Sequence, residues 1–203
     1  MGGSAKYKNA HNKYKRKGFG HGNSGGGGGK SHFPVEANVR IKNKTTEGAL
    51  SEFRNQHINS DHEWAYIIDD QGYVHEYNEG NKGSVPIYNT RGGHIIHNHP
   101  ETGESAFSYE DMEVFAAGKA KSMTASSSKF DYTIERGTHF KEQEFVQALS
   151  KANLVGSDYN DAVDKWLMKN ARRYGYKYTR TAYKADGSVG IVRKSMTKHK
   201  ERK

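Results

Sequence analysis

The spacing of hydrophobic residues changes along the chain, and the changes predict a mixture of strands and helices. Apolar residues three and four positions apart predict helices at 45–59, 108–122, 140–153 and 157–175. Alternating, aromatic or β-branched runs predict strands at 64–69, 73–77, 84–88, 93–99, 130–136, 176–183 and 188–192. This mixture indicates an α/β or α+β fold, with a mixed central sheet flanked by helices and one core from about residue 40 to residue 192.

Single residues mark the ends of several of these elements. Pro86 cannot donate to a strand ladder, so the segment around it is predicted as an edge strand. Pro100 ends the strand before it. Ser108 has the position of an N-cap, and Ser157 and Gly175 begin and end the last helix.

The two ends of the chain differ from its middle. Residues 1–35 are rich in Gly, Lys, Asn and Ser and contain hardly any large aliphatic side chains, which predicts a disordered basic tail. We therefore divide the chain into this tail, a core at 40–135, a helical and hairpin extension packed on the core at 136–192, and a second basic tail at 193–203.

The formal charge of +9 belongs to the ends of the chain. Residues 1–32 carry seven Lys or Arg and no acid, and residues 193–203 carry six bases and one acid. Subtracting +7 and +5 from +9 leaves the middle at −3. Basic ends favour contact with nucleic acid or other polyanions, and a solvated tail that aids solubility is the alternative.

Several classes of protein are excluded or disfavoured by what the sequence lacks. The chain has no cysteine, so it has no disulfides and any zinc must be held by nitrogen and oxygen. No apolar run approaches the ~18 residues of a membrane span, and the N-terminus lacks the apolar core of a signal peptide. A soluble, cytoplasmic protein with no membrane partner is expected.

The segment "GGHIIHNHPETGESAFSYEDM" at 92–112 carries the candidate chemistry. His97 and His99 are two positions apart at the end of a predicted strand, so their side chains share one face and can converge on one ion. Asp111, in the first turn of the next helix, adds a carboxylate. These three ligands leave a fourth position open for water, as a catalytic zinc needs, whereas a polar loop that happens to hold histidines is the alternative.

A zinc site of this kind needs two further groups. A base, usually glutamate, must take the proton of the water and pass it to the leaving group. Ser108, one helical turn before Asp111, could donate its hydroxyl to an oxyanion.

Together, "HNHP" followed by "SYED" resembles the JAMM motif of the JAB/MPN metalloprotease family, and the wording is most similar to RadC-like members. In that family a glutamate stands directly before an early apolar strand and an acidic turn, which matches Glu63 before "WAYIIDDQG". The resemblance covers about residues 60–122. It implies a JAB/MPN-like fold, Glu63 as general base, His97, His99 and Asp111 as ligands of one Zn²⁺ per chain, and Ser108 as oxyanion donor.

Other residues nearby offer alternatives to these roles. Three glutamates compete with Glu63 as the base, or are solvated surface carboxylates: Glu47, Glu52 and Glu76. His94 is either an outer residue that orients a zinc ligand or a hydrogen-bonded core histidine. His62 and His75 are also close in sequence.

The chain departs from the family pattern in one loop. Eight residues, 100–107, separate His99 from Ser108, where the family usually has seven. A loop absorbs one residue at little entropic cost, but Ser108 could be displaced by it.

Two functions are expected from these features. The first is a zinc metalloprotease or isopeptidase that cleaves a peptide or a ubiquitin-like conjugate. The second is a RadC-like protein of phage or mobile-element assembly, associated with nucleic acid through its basic tails and with little catalysis. The resemblance implies all the catalytic residues, which favours the enzyme.

Overall fold

The computed structural model describes residues 31–32, 39–40, 45–87, 92–100, 106–155 and 158–195. Its strands are β1 (Ser31–His32), β2 (Val39–Arg40), β3 (Trp64–Ile68), β4 (Tyr73–Glu79), β5 (His94–Asn98), β6 (Ser122–Ser126), β7 (Phe130–Arg136), β8 (Tyr176–Tyr183) and β9 (Val189–Lys194). Its helices are α1 (Thr46–His57), α2 (Tyr109–Gly118), α3 (Glu142–Lys151) and α4 (Tyr159–Tyr174).

The strands form one mixed sheet, which confirms the predicted mixture of α and β structure around a mixed sheet, whereas the likeness to the JAB/MPN fold stays a prediction. Seven of them follow the order β4-β3-β5-β6-β7-β8-β9, and the two-residue strands β1 and β2 both pair with β4. β5 and β6 are parallel, and the other described pairs are antiparallel. A parallel pair needs a crossover connection, and α2 lies within that connection.

The two faces of the sheet are covered by different helices. Because side chains alternate along a strand, Ile67 and Ile95 belong to one core cluster and their neighbours Ile68 and Ile96 to another. Residues of α2, α3 and α4 complete the first cluster, whereas Phe53 of α1 packs in the second. Below, these are called the three-helix face and the α1 face.

Local sequence signals account for most of these elements. β7 has the predicted bounds, and β3, β4, β5 and the terminal hairpin fall where the alternation placed them. α4 ends at Gly175, which has φ +74° as its C-cap. A Cβ at this position would lie 2.4 Å from the carbonyl oxygen of His139, so close packing adds a second reason for glycine.

Two predicted elements differ in the structure. The helix predicted at 108–122 ends at Gly118, Lys119 adopts φ 59°, and β6, which the sequence pattern did not predict, begins at Ser122. β6 lies between β5 and β7 and is buried on both faces; its five residues, "SMTAS", alternate between polar and apolar side chains, but the run is short and contains a single β-branched residue. The hydroxyls of Ser122 and Thr124 are bonded internally, to His94 at 2.7 Å and to Thr133 at 3.0 Å.

The strand predicted at 84–88 is also wrong for the described part of that segment. Ser84 makes an isolated bridge to Asn81, and no strand follows it up to residue 87. Pro86 lacks the N–H that a ladder requires, and its carbonyl instead accepts a bond from the Asn78 amide at 2.7 Å.

The extension and the tails are described to different extents. β8 pairs with β7 along its whole length, so the terminal hairpin continues the central sheet. β9 includes Arg193 and Lys194, two residues of the predicted basic tail. The other tail residues lie outside the described ranges, apart from Ser195 and the strand Ser31–His32. Within those ranges, no helix has the length and apolar character needed to cross a membrane.

Candidate metal centre

The end of β5 presents two imidazoles on the three-helix face. His97 pairs with Ala65 of β3 and Ala125 of β6, in the middle of the sheet, and is 1% exposed. His99 continues the strand direction, with its N–H donated to the carbonyl of Ser126 at 2.8 Å. Because the two histidines are two residues apart, both rings lie on the face that α2 covers.

Asp111 of α2 meets these two rings. The Nε2 atoms of His97 and His99 are 3.1 Å apart, and they lie 3.3 and 3.5 Å from the two carboxylate oxygens of Asp111. In a tetrahedral site with bonds of about 2.0–2.1 Å, neighbouring ligand atoms are about 3.3 Å apart. The described residues thus contain a group that could hold a metal ion, with two nitrogens and one carboxylate as donors.

The start of α2 fixes the orientation of Asp111. Its side chain accepts from the N–H of Ser108 at 2.7 Å, and its own N–H donates to the Ser108 hydroxyl at 3.0 Å, which together form a capping box. Burial acts to raise the pKa of Asp111, but the adjacent imidazoles of His97 and His99 outweigh it and hold that pKa well below the usual value. The carboxylate is therefore charged and aimed at the histidines.

Ser108 has the hydrogen-bonding state that an oxyanion donor needs. Its hydroxyl oxygen accepts the N–H of Asp111, so its own proton remains available to another acceptor. Ser108 also lines a cleft of about 270 Å³ that reaches His99 and Pro100. Residues 101–105 of the longer loop lie outside the described ranges, but its last residues, 106 and 107, are buried in the core.

Glu63 lies in the same cleft as His99 and Ser108. It directly precedes β3. Its backbone N–H donates to the carbonyl of Asn81 at 2.8 Å, and its carbonyl accepts the N–H of Gly80 at 2.7 Å, so its backbone position is fixed. Ala65 pairs with His97, so the same antiparallel register continued by two residues sets Glu63 opposite His99, on the same face of the sheet. The pairing of β3 with β5 therefore brings Glu63 close to His99, although the two residues are 36 positions apart in the sequence.

The competing residues are held elsewhere. Glu47 and Glu52 belong to α1, which covers the other face of the sheet. Glu76 is fully buried and accepts the Asn78 amide at 2.6 Å. None of these three lines the cleft.

The other histidines have acidic partners away from the site. His94, at the far end of β5, contacts Ser122 at 2.7 Å and Asp70 at 2.8 Å, so it is a hydrogen-bonded residue and does not orient a ligand. His62 and His75 contact Asp61 and Asp69. The Nδ1 of buried His97 has no hydrogen-bond partner within the described ranges. The second ring nitrogen of a metal-ligating histidine usually donates to a carboxylate, a carbonyl or water, and no described residue accepts such a bond from His97.

Among the cleft residues that were not singled out from the sequence, three have polar side chains: Lys82, Tyr159 and Asn160. The side-chain oxygen of Asn160 accepts the N–H of Ala106 at 2.9 Å, and the Tyr159 hydroxyl donates to the carbonyl of Phe107 at 3.1 Å. The first turn of α4 thereby holds the chain immediately before Ser108. No sequence signal connects these residues, because the contacts span 52 and 54 positions.

Comparison with known proteins gives no family to which the chain can be assigned. No protein-family profile, curated protein or solved structure matches it at a significant level. The functional assignment therefore depends on the geometry of the site.

Proposed function

We propose that this protein is a zinc-dependent hydrolase of amide bonds, of the JAB/MPN type. One observation carries the proposal: Nε2 of His97, Nε2 of His99 and the Asp111 carboxylate converge at the edge of a cleft that also contains Glu63 and Ser108. These five residues are the ones to which the JAMM motif assigns roles, and they come from three separate segments of the chain.

His97, His99 and Asp111 would hold the ion. When bound, zinc would supply Lewis acidity, which polarises a carbonyl and lowers the pKa of a bound water toward ~7. Two histidines and one carboxylate also suit non-haem iron, so the donor set alone does not select the metal. A glutamate beside the ligands supports hydrolysis, because hydrolysis needs a proton carrier next to the water.

Glu63 is the proposed proton carrier. It would accept a proton from the attacking water and transfer it to the leaving nitrogen, so that the amine departs neutral. Its position opposite His99 and the two backbone bonds that hold it support this role.

Ser108 is the proposed oxyanion donor. Its hydroxyl oxygen already accepts the backbone N–H of Asp111 in the capping box, so the hydroxyl proton can be donated to the oxyanion. A donor fixed before reaction stabilises the developing negative charge without reorganisation, and loss of one such donor costs about 10²–10³ in kcat.

The proposed substrate is an extended peptide or a ubiquitin-like conjugate. A cleft of about 270 Å³ has room for the reacting bond and its neighbours but not for a folded domain. An extended segment could also pair with an open sheet edge, as peptides do with other sheets.

The test compares Glu63→Gln with Glu47→Gln, a matched change on the α1 face. Turnover of unfolded casein, fluorogenic peptides and diubiquitin is measured, together with bound metal by mass spectrometry. We expect Glu63→Gln to abolish turnover while metal content stays at the parent level, and Glu47→Gln to retain both. Equal activity in parent and Glu63→Gln, or no cleavage of any of these substrates by the zinc-loaded parent, would contradict the proposal.

The second candidate is a RadC-like assembly protein that retains the metal site but has little catalytic activity. Its supporting feature is the basic charge of residues 1–32 and 193–203. Loss of salt-dependent DNA binding after removal of both segments would support it. No retention of the full chain on DNA at low salt would discard it.

A further inference from the structure

Between residues 33 and 195, the charges of the chain are segregated. Residues 33–164 contain 12 Lys or Arg and 21 Asp or Glu, a net charge of −9, whereas residues 165–195 contain nine and one, a net charge of +8. The metal ligands and Glu63 all belong to the acidic segment. The basic segment comprises most of α4 and all of the β8–β9 hairpin.

Most of these bases project into solvent from the two elements next to β8. α4 packs on β8 through bonds such as Tyr178 Oη to Asp164 at 2.9 Å, and β9 pairs with its edge. The exposed bases on α4 recur at helical spacing, so they form one stripe. We define the basic surface as the exposed residues Lys169, Arg172 and Arg173 of α4, Lys184 of the turn, and Arg193 of β9.

The basic surface is not neutralised by the protein itself. Three other bases of the segment make ion pairs: Lys165 with Asp161, Lys177 with Glu135, and Arg180 with Asp164. The five residues of the basic surface make no ion pair with any residue in the described ranges. Unpaired like charges on neighbouring elements add to a positive potential that attracts a polyanion.

We propose that the basic surface binds the phosphate backbone of duplex DNA. This site lies outside the cleft, uses none of the metal ligands and does not depend on the proposed hydrolysis. It also differs from contact through the tails, because four of its five residues belong to regular elements with fixed positions.

Among the residues whose side chains the structure describes, no aromatic residue is exposed, which favours a duplex over a single strand. Single strands are bound by stacking bases on aromatic side chains. Among the described residues, the exposed large hydrophobic side chains are all aliphatic: Val155, Val189, Ile191 and Val192. Bases spread over a helix and a hairpin suit the two backbones of a duplex, which carries one charge per ≈ 1.7 Å of its axis.

The location of α4 connects the basic surface to the cleft. α4 begins at Tyr159 and Asn160, which line the cleft. The exposed bases of α4 lie farther along its 16 residues, at increasing distance from the cleft. At a rise of about 1.5 Å per residue, Arg173 lies about 20 Å from the cleft end of α4. DNA held there would bring the cleft next to proteins bound on the same duplex.

The test uses the full chain, so that both tails stay present. The triple variant Lys169→Gln, Arg172→Gln, Arg173→Gln is compared with Lys119→Gln, Lys121→Gln, Lys151→Gln, which removes the same charge from exposed positions outside the basic surface. Affinity for a labelled mixed-sequence duplex is measured by anisotropy between about 50 and 200 mM salt. Circular dichroism confirms that both variants are folded.

We expect the first variant to bind the duplex about tenfold more weakly or worse, with the slope of log K against log salt reduced by about 3, whereas the control stays near the parent. Arg193→Gln should lower the slope by about 1. Equal losses in the triple variant and its control would overturn the proposal, since net charge would then explain binding. Tighter binding to single strands, duplex RNA or anionic lipid vesicles than to duplex DNA would overturn it as well.

Discussion

The side-chain oxygen of Asn160 accepts a hydrogen bond from the N–H of Ala106 at 2.9 Å, two residues before Ser108. This bond attaches the C-terminal extension to the segment that carries the proposed oxyanion donor. The position of Ser108 is therefore set partly by α4, and the extra residue of the preceding loop does not have to set it.

Substitution of Asn160 by Ala should lower kcat more than it changes KM. We expect a loss of about tenfold to a hundredfold, because displacement of a catalytic group by about 1 Å has such an effect. Metal content should be unchanged, since the ligands are untouched. Asn160→Asp keeps the acceptor oxygen and should restore most of the activity.

A structural readout separates this effect from the proposed hydrolysis. Amide hydrogen exchange at Ala106 and Ser108 should accelerate in Asn160→Ala but not in Asn170→Ala. Asn170 bonds only the Trp166 carbonyl of its own helix at 2.9 Å, which makes it a matched control. Unchanged exchange in Asn160→Ala would show that α4 does not hold this segment.

Metal binding should depend on His97 and not on His94. His97→Ala removes one of three convergent ligands, whereas His94→Ala removes a ring that contacts Ser122 and Asp70. We expect about one zinc per chain in the parent and in His94→Ala, and little in His97→Ala. At about 100 times the Kd, zinc should stabilise the parent by about 2.7 kcal/mol, measured as a rise in Tm over the chelated protein. Equal zinc in both variants would contradict the ligand assignment.

A buried ion pair on the α1 face should be important for stability. Arg54 donates to Asp131 at 2.5 Å and stacks on Tyr183, whose hydroxyl donates to the same carboxylate at 2.6 Å. Arg54→Met leaves this carboxylate buried without its cation, which should lower the free energy of unfolding by about 3–5 kcal/mol in urea titration. Lys165→Met breaks an exposed pair with Asp161 and should cost under about 0.5 kcal/mol. Similar losses in the two variants would show that burial does not strengthen the Arg54 pair.

His57 should make stability fall in mild acid. Burial lowers the pKa of His57 to about 4, in a site where its ring stacks on Trp64 and its Nε2 lies 2.9 Å from the Tyr66 hydroxyl. In the unfolded chain this pKa is about 6.5, so the unfolded state binds more protons between these two values and the free energy of unfolding falls as the pH falls from 6.5 to 4. Because the ring is partly open to solvent, we expect about 1 kcal/mol from this group.

The contribution of His57 is measured by urea titration at several pH values. His57→Gln lacks the titrating group, so its free energy of unfolding should fall by about 1 kcal/mol less than that of the parent across this window. Parallel pH profiles for parent and variant would show that His57 titrates normally in the folded protein.

Much of the fold could be predicted because local patterns set it. The alternation in β7 gave both of its ends, and the glycine after α4 marked the C-cap. β6 was missed although "SMTAS" alternates between polar and apolar residues, because this run of five contains one β-branched and no aromatic side chain. The predicted helix at 108–122 ran past Gly118, where α2 ends and Lys119 becomes its C-cap.

The sequence by itself determined the residue types of the site and the shared face of His97 and His99, since period two is a property of a single strand. Only the tertiary structure decided that Glu63 lies opposite His99, that Asp111 reaches both imidazoles, and that Tyr159 and Asn160 hold the approach to Ser108. Strand register and helix packing set these distances, and both depend on contacts between residues far apart in the chain. A single sequence contains no local signal for such contacts.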